Sequence, residues 1–452
     1  MTAPGVAYAP LGGRARAGAA LRRAGPLALA GAGANGLSVL VTIGVARLLS
    51  ARAYGAMSQL VGLYLVLSTP GSALLIAVVR RVTAWDASER HALVGPWVER
   101  IRRNGAFGLL AFAAVALAVR SVVARELTLP GPEGVAEVLI AGGGWALLSV
   151  ERGLIQSRLA YGALARNLGV EAGSRAVITL VTIGLGLGVE GAALGLVGAV
   201  GVALVDARLS LHRIHRLATA APSDPQATGP SLPPDAGRPT AGGRWAGRQG
   251  MALDLSTAIA ALALLACLQS VDVVILGRQA PGNAGAYAAI SVACKALVFL
   301  AIALAGYLLP EAVTRWHRGG HALGPLAIAA GLVSIPGAVL LVITLVAPKL
   351  LLRTVFGPDL TGAAPAFSTL CLAMGCLAAA VLLTNYLLGI GRRSVVLVLF
   401  VALAGVGILV VRAHGDPVGT ARAELAGQAS LVAGLGLLVA HAHRSRAHGL
   451  MR

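Results

Sequence analysis

Charge and aromatic rings are scarce in this chain: Asp, Glu, Lys and Arg together make up 12% of its 452 residues, and Phe, Trp and Tyr 4%. A soluble domain carries roughly 25% charged residues, so a water-exposed globular surface is excluded. The four cysteines, Cys267, Cys294, Cys371 and Cys376, stand singly in apolar runs. That excludes a disulfide framework and a CxxC zinc site. No Walker A and no HExxH sequence occurs. "GAGANG" (31–36) and "GLGVEG" (186–191) match G-x-G-x-x-G, but neither follows a strand in a βαβ unit, as dinucleotide binding requires. No catalytic residue, metal site or cofactor is therefore expected.

What the chain has instead is long apolar runs, with 57% hydrophobic residues and a mean hydropathy of +0.81. About 20 helical residues cross a hydrocarbon core. Twelve runs meet that length: 26–46, 57–79, 104–124, 135–157, 168–188, 190–210, 251–277, 284–309, 322–347, 362–389, 394–412 and 421–442. The 59 glycines give these helices small surfaces suited to close packing. An all-α, polytopic membrane protein is expected.

The formal net charge of +19 follows topology rather than a nucleic-acid footprint, because the arginines fall in short clusters between spans. With the N-terminus inside, the cytoplasmic segments hold 25 of the 37 Lys and Arg, the outer loops and span ends nine, and the spans three. This obeys the positive-inside rule and predicts a multi-pass protein of the cytoplasmic membrane with both termini cytoplasmic. "RARAGAALRRAG" leads into the first span without a small-residue cleavage site, so that span is expected to remain as an anchor.

Residues 217–250 are rich in Pro, Gly, Ser and Thr and lack apolar periodicity, which predicts a disordered cytoplasmic linker. It separates two six-helix lobes, 26–216 and 251–443, with a basic N-terminus at 1–25 and a tail at 444–452. The lobes repeat a pattern. "VARLLSARAYGAMSQL" in the first half and "VVILGRQAPGNAGAYAAI" in the second each run from a helix ending near an arginine, through a turn, into Gly-Ala. Gly55 precedes Trp85 by 30 residues and Gly285 precedes Trp316 by 31. Six intervening helices make the copies parallel repeats.

The stretches "GVARLLSARAYGAMSQLVGLYLVLSTPGSALLIAVVRRVTAW" and "VDVVILGRQAPGNAGAYAAISVACKALVFLAIALAGYLLPEAVTRW" resemble the polysaccharide-repeat flippases of the multidrug/oligosaccharidyl-lipid/polysaccharide exporter superfamily. The resemblance implies two lobes around a central cavity that opens alternately to each side, moving undecaprenyl-diphosphate-linked oligosaccharide outward. Polysaccharide polymerases and glycosyltransferases would then be partners. Multidrug exporters and peptidoglycan-precursor flippases of the same superfamily are the near alternatives. A membrane-embedded polymerase or ligase is the distant one, and the short outer loops argue against it.

Charges inside a span mark functional sites by default. Arg152, Arg175 and Lys295 are candidates to receive a diphosphate, since a guanidinium fork stays charged and grips phosphate oxygens in two parallel bonds. Glu151, Arg152, Glu171 and Arg175 reach similar depths on two antiparallel helices, so an internally neutral salt-bridge cluster is the competing expectation. Asp272 and Glu171 are the candidate coupling carboxylates for a proton, sodium or the membrane potential, and an Asp272–Lys295 pair is the structural alternative. Asn35 and Gln269 are placed to meet sugar hydroxyls or neighbouring helices. Arg47 and Arg278 hold equivalent positions in the repeats, at outer helix ends, where they would line the cavity mouth or snorkel to headgroups.

Overall fold

The computed structural model describes residues 13–87, 91–220, 243–317 and 323–450. Among them there are fourteen α-helices, three short 3-10 turns and no strand. In chain order they are α1 (Gly13–Leu48), α2 (Ala51–Ala87), α3 (Val94–Glu126), α4 (Val135–Ser157), α5 (Tyr161–Gly184) and α6 (Gly188–Ala220). The second half contains α7 (Gly243–Leu268), α8 (Val271–Gln279), α9 (Pro281–His317), α10 (Leu323–Val346), α11 (Pro348–Val355), α12 (Phe367–Gly389), α13 (Val395–Arg412) and α14 (Pro417–Leu450).

Ten helical segments are long and apolar enough to cross a membrane. The remaining two expected spans are α1, whose described apolar stretch is Gly33–Leu48, and α5, diluted by Arg166, Glu171 and Arg175. These two pack on each other. The span expected at 251–277 is broken: α7 stops at Leu268 and α8 starts at Val271, which puts Asp272 in the first turn of a new helix. A helix N-terminus favours negative charge there. The expected linker lies mainly at 221–242, outside the described residues; on either side, 217–220 continue α6 and 243–250 open α7. Residues 13–25 of the basic N-terminus belong to α1, and 444–450 of the tail to α14.

Helices α1 to α6 pack chiefly with one another, as do α7 to α14. The two groups meet along α2 against α7, α8 and α9, with α1 touching α9. Small residues allow this approach. A Cβ on Gly55 would lie 2.7 Å from the backbone nitrogen of Gly285 and 2.8 Å from Ala284 Cβ. One on Gly62 would lie 3.2 Å from Ser270 Cβ. Thus the repeat-related glycines of the two halves touch each other at one end of the molecule, here termed the closed end. Between the lobes, farther from that end, lies a cavity of about 370 Å³.

Candidate functional site

The cavity wall comes from both halves. From α1 come Asn35, Ser38 and Thr42; from α5, Glu171, Arg175 and Thr179; from α9, Ser291, Lys295 and Phe299. Tyr54 and Tyr64 of α2 and Trp145 of α4 add aromatic surface. In a chain so poor in aromatics, four of them gathering on one cavity is a concentration that composition does not reveal. Serine and threonine hydroxyls supply much of the remaining polarity. Several bond back to the preceding turn of their own helix, as Ser38 does to Ala34 at 2.7 Å and Thr42 to Ser38 at 2.8 Å.

Arg175 faces the cavity and donates through Nη2 to Ser38 Oγ across the α1–α5 contact. Lys295 faces it from the opposite lobe and is 8% exposed. Neither has a carboxylate oxygen within 4.0 Å among the described residues. The expected Asp272–Lys295 ion pair is accordingly not formed.

Arg152 does not line the cavity; it is buried in the protein. Its Nη2 lies 2.6 Å from Glu171 Oε2, its Nε donates to Asn167 Oδ1 at 2.8 Å, and its guanidinium sits 5.1 Å over the Trp145 ring. Asn167 in turn donates to Asp206 at 2.9 Å, and Asp206 accepts from Arg166 at 2.8 Å. Glu151, expected to join Arg152, instead holds Arg102 of α3 at 2.5 Å and Arg208 of α6 at 3.2 Å. A buried guanidinium needs oxygen partners to offset lost hydration, and α5 provides them in Glu171 and Asn167. Arg152 thus belongs to an internal network, the competing expectation for it, rather than to the cavity wall. Glu171 belongs to that network on one side and to the cavity wall on the other.

In the second lobe, Asp272 is fully buried. Its Oδ2 accepts from Tyr287 at 3.1 Å and from Ser291 at 3.5 Å, while Oδ1 has no partner among the described residues. Glu424 and Gln428 of α14, also fully buried, pair with one another at 3.1 Å, and each leaves one oxygen without a partner among the described residues. Sequence reasoning misses Glu424, which falls near the end of an expected span, where charge is cheap; α14 begins at Pro417 and carries it two turns deep. The one available signal is the i, i+4 pairing of Glu424 with Gln428. Tyr287, Ser291, Lys295 and Phe299 recur every four residues on α9, so one stripe runs from the Asp272 carboxylate to the cavity.

The other expected residues divide. Asn35 is on the cavity rim, exposed. Gln269 is buried beside the helix break, its Nε2 without a partner among the described residues, and does not line the cavity. Arg47 and Arg278 do not line it either; they sit at the closed end. Arg47 donates to the carbonyls of Thr354 and Val355, the latter at 3.0 Å, and Arg278 contacts Glu126 at 3.1 Å.

Two groups of long apolar helices thus enclose a largely apolar cavity into which a few polar and charged side chains project. No protein-family model and no curated protein matches the chain. Solved structures do share the fold. An inward-facing multidrug resistance MATE family transporter of the MOP superfamily superposes with a TM-score of 0.66 at 12% identity, covering 90% of this chain and 95% of that one. The Vibrio cholerae MATE transporter VcmN, as its D35N mutant, gives 0.64 at 13% identity, with coverage of 94% and 96%. The lipid II flippase MurJ in an inward closed conformation gives 0.57 at 8% identity, with coverage of 91% and 87%. The chain thus shares its fold with these solved structures, and its ten long apolar helices make it a multi-pass membrane protein.

Proposed function

We propose that this chain is a non-enzymatic flippase of the cytoplasmic membrane, moving a lipid-linked oligosaccharide, undecaprenyl-diphosphate-linked, from the inner to the outer leaflet. The observation that carries this reading is the cation pair: Arg175 from one lobe and Lys295 from the other face the same cavity with no carboxylate partner among the described residues. A diphosphate entering a low-dielectric space must have its lost hydration offset. Two cations on opposite walls do this best when the walls draw together, so the anion stabilises the closed-cavity state more than the open one. Only such a difference in affinity can shift the equilibrium between conformations. Meanwhile the polyprenyl chain stays in lipid.

The arginine distribution makes the closed end the outer one and puts both termini in the cytoplasm. In that orientation the structure is closed outward, ready to load from the inner leaflet. Energy enters through the second lobe, where Asp272 and Glu424 offer carboxylate oxygens to a proton or small cation. Carrying one charge through 100 mV yields about 2.3 kcal/mol. Glu171, already held by Arg152, is the weaker coupling candidate.

The test is reconstitution in vesicles containing a fluorescent lipid-linked oligosaccharide, with headgroup exposure followed by a membrane-impermeant quencher. Accelerated translocation that Arg175→Ala and Lys295→Ala both abolish supports the reading; full rates in both variants overturn it. A second reading rests on Tyr54, Tyr64, Trp145 and Glu171, since aromatic faces and a carboxylate also suit an organic cation. Competition by organic cations that survives loss of Arg175 would favour drug export.

A further inference from the structure

Arg47 and Arg278 end the first span of each repeat, and each reaches across the lobe boundary. Arg47 of the first lobe donates to the Thr354 and Val355 carbonyls at the C-terminus of α11 in the second. A helix C-terminus is where a cation is favoured. Arg278 of the second lobe contacts Glu126 at the C-terminus of α3 in the first, at 3.1 Å. Beside it, Thr128 Oγ1 lies 3.2 Å from the carbonyls of Gly277 and Arg278, while its nearest acceptor is the Leu127 carbonyl at 2.8 Å. In both cases the target is the connection between the third and fourth spans of the opposite half. The two contacts differ in chemistry, backbone carbonyls for Arg47 and a carboxylate for Arg278, but occupy corresponding places in the chain order of the two halves.

Between them the repeat-related glycines pack backbone to backbone, and any side chain on Gly55 would collide with Ala284 and Gly285. Below this seal the fit is incomplete. Gln59 Oε1, Gln269 Nε2 and Ser270 Oγ are buried without a hydrogen-bond partner among the described residues. Water entering an opened seam would satisfy them, so these atoms favour parting while the arginines and glycines favour closure.

We infer that Arg47 and Arg278 are a pair of latches that, with the Gly55–Gly285 seal, form a gate at the closed end, separate from the substrate cavity. This goes beyond the flippase reading and needs no substrate, so its failure would leave that reading standing.

The experiment uses the full chain in proteoliposomes with Cys267 and Cys376 replaced by Ala. A reporter, Ser58→Cys, is placed on the cavity wall below the seal, and a reference, Glu133→Cys, on the exposed surface of the same end. A membrane-impermeant maleimide is added to that face. The parent should label slowly at the reporter and quickly at the reference. Arg47→Ala with Arg278→Ala should raise reporter labelling about five- to tenfold, because exposed charged contacts are individually modest, and Gly55→Val should raise it as well. Exchanging the partners, Arg278→Glu with Glu126→Arg, should return labelling toward the parent rate. Unchanged reporter labelling in the double alanine variant, with equal reference labelling, would overturn the latch. So would a charge exchange that restores nothing. If Gly55→Val does not fold, the arginine arms decide.

Discussion

Arg152 and Glu171 face each other at 2.6 Å across α4 and α5, and this single pair joins a buried network to the wall of the cavity. Removing the guanidinium strands Glu171 and Asn167 in a site with little water. Losing one partner of a buried ion pair typically costs about 3–5 kcal/mol. Arg152→Ala should therefore lower the unfolding midpoint and the yield of detergent-solubilised protein. Wild-type thermal stability in that variant would refute the structural role.

Arg175 and Lys295 should behave in the opposite way. Arg175 has one hydroxyl partner and Lys295 none among the described residues, so truncation leaves no carboxylate unpaired. Arg175→Ala and Lys295→Ala should fold normally and weaken binding of a diphosphate-bearing carrier lipid by about 10- to 100-fold each, the worth of one charged hydrogen bond. Titration of the carrier lipid against purified protein measures this directly.

Asp272→Asn preserves an acceptor for Tyr287 and Ser291 but removes the charge. The variant should keep its fold and lose the response of transport to an imposed proton or sodium gradient, and Glu424→Gln should do the same. Transport by both variants that still follows the gradient would remove these carboxylates from coupling.

Gly71 has no room for a side chain: a Cβ there would lie 2.6 Å from Trp145 Cδ1 and 3.2 Å from Ala146 Cα. Gly71→Val must displace Trp145 or part α2 from α4. Overpacking of this sort costs about 1–3 kcal/mol. Since Trp145 also lines the cavity, stability and carrier-lipid affinity should fall together, as measured by thermal unfolding and binding on one preparation.

Much of the architecture is legible in the amino-acid order. The apolar runs announce the spans, because crossing hydrocarbon is a local requirement on about 20 successive residues. The Gly55 and Gly285 repeat is visible too, although not that the two glycines touch. Asn35, Arg175 and Lys295 stand out as polar or charged residues inside spans, and the cavity includes all three. Arg152 stands out by the same logic and lies elsewhere. Nothing in spacing distinguishes it from Arg175.

An all-helical membrane chain in two repeated halves, with a handful of charges that must be kept from lipid, is thus written into local composition and order. Which charges meet is a matter of helix packing. Helix rotation and the approach of α3 and α6 bring Glu151 to Arg102 and Arg208, and leave Glu171 to Arg152. The break at residues 269–270 and the register of α14 bury Asp272 and Glu424 in the second lobe. The difference is one of range: hydrophobicity acts on each segment separately, whereas a buried charge is satisfied by whichever partner the packing of distant helices brings within hydrogen-bonding distance.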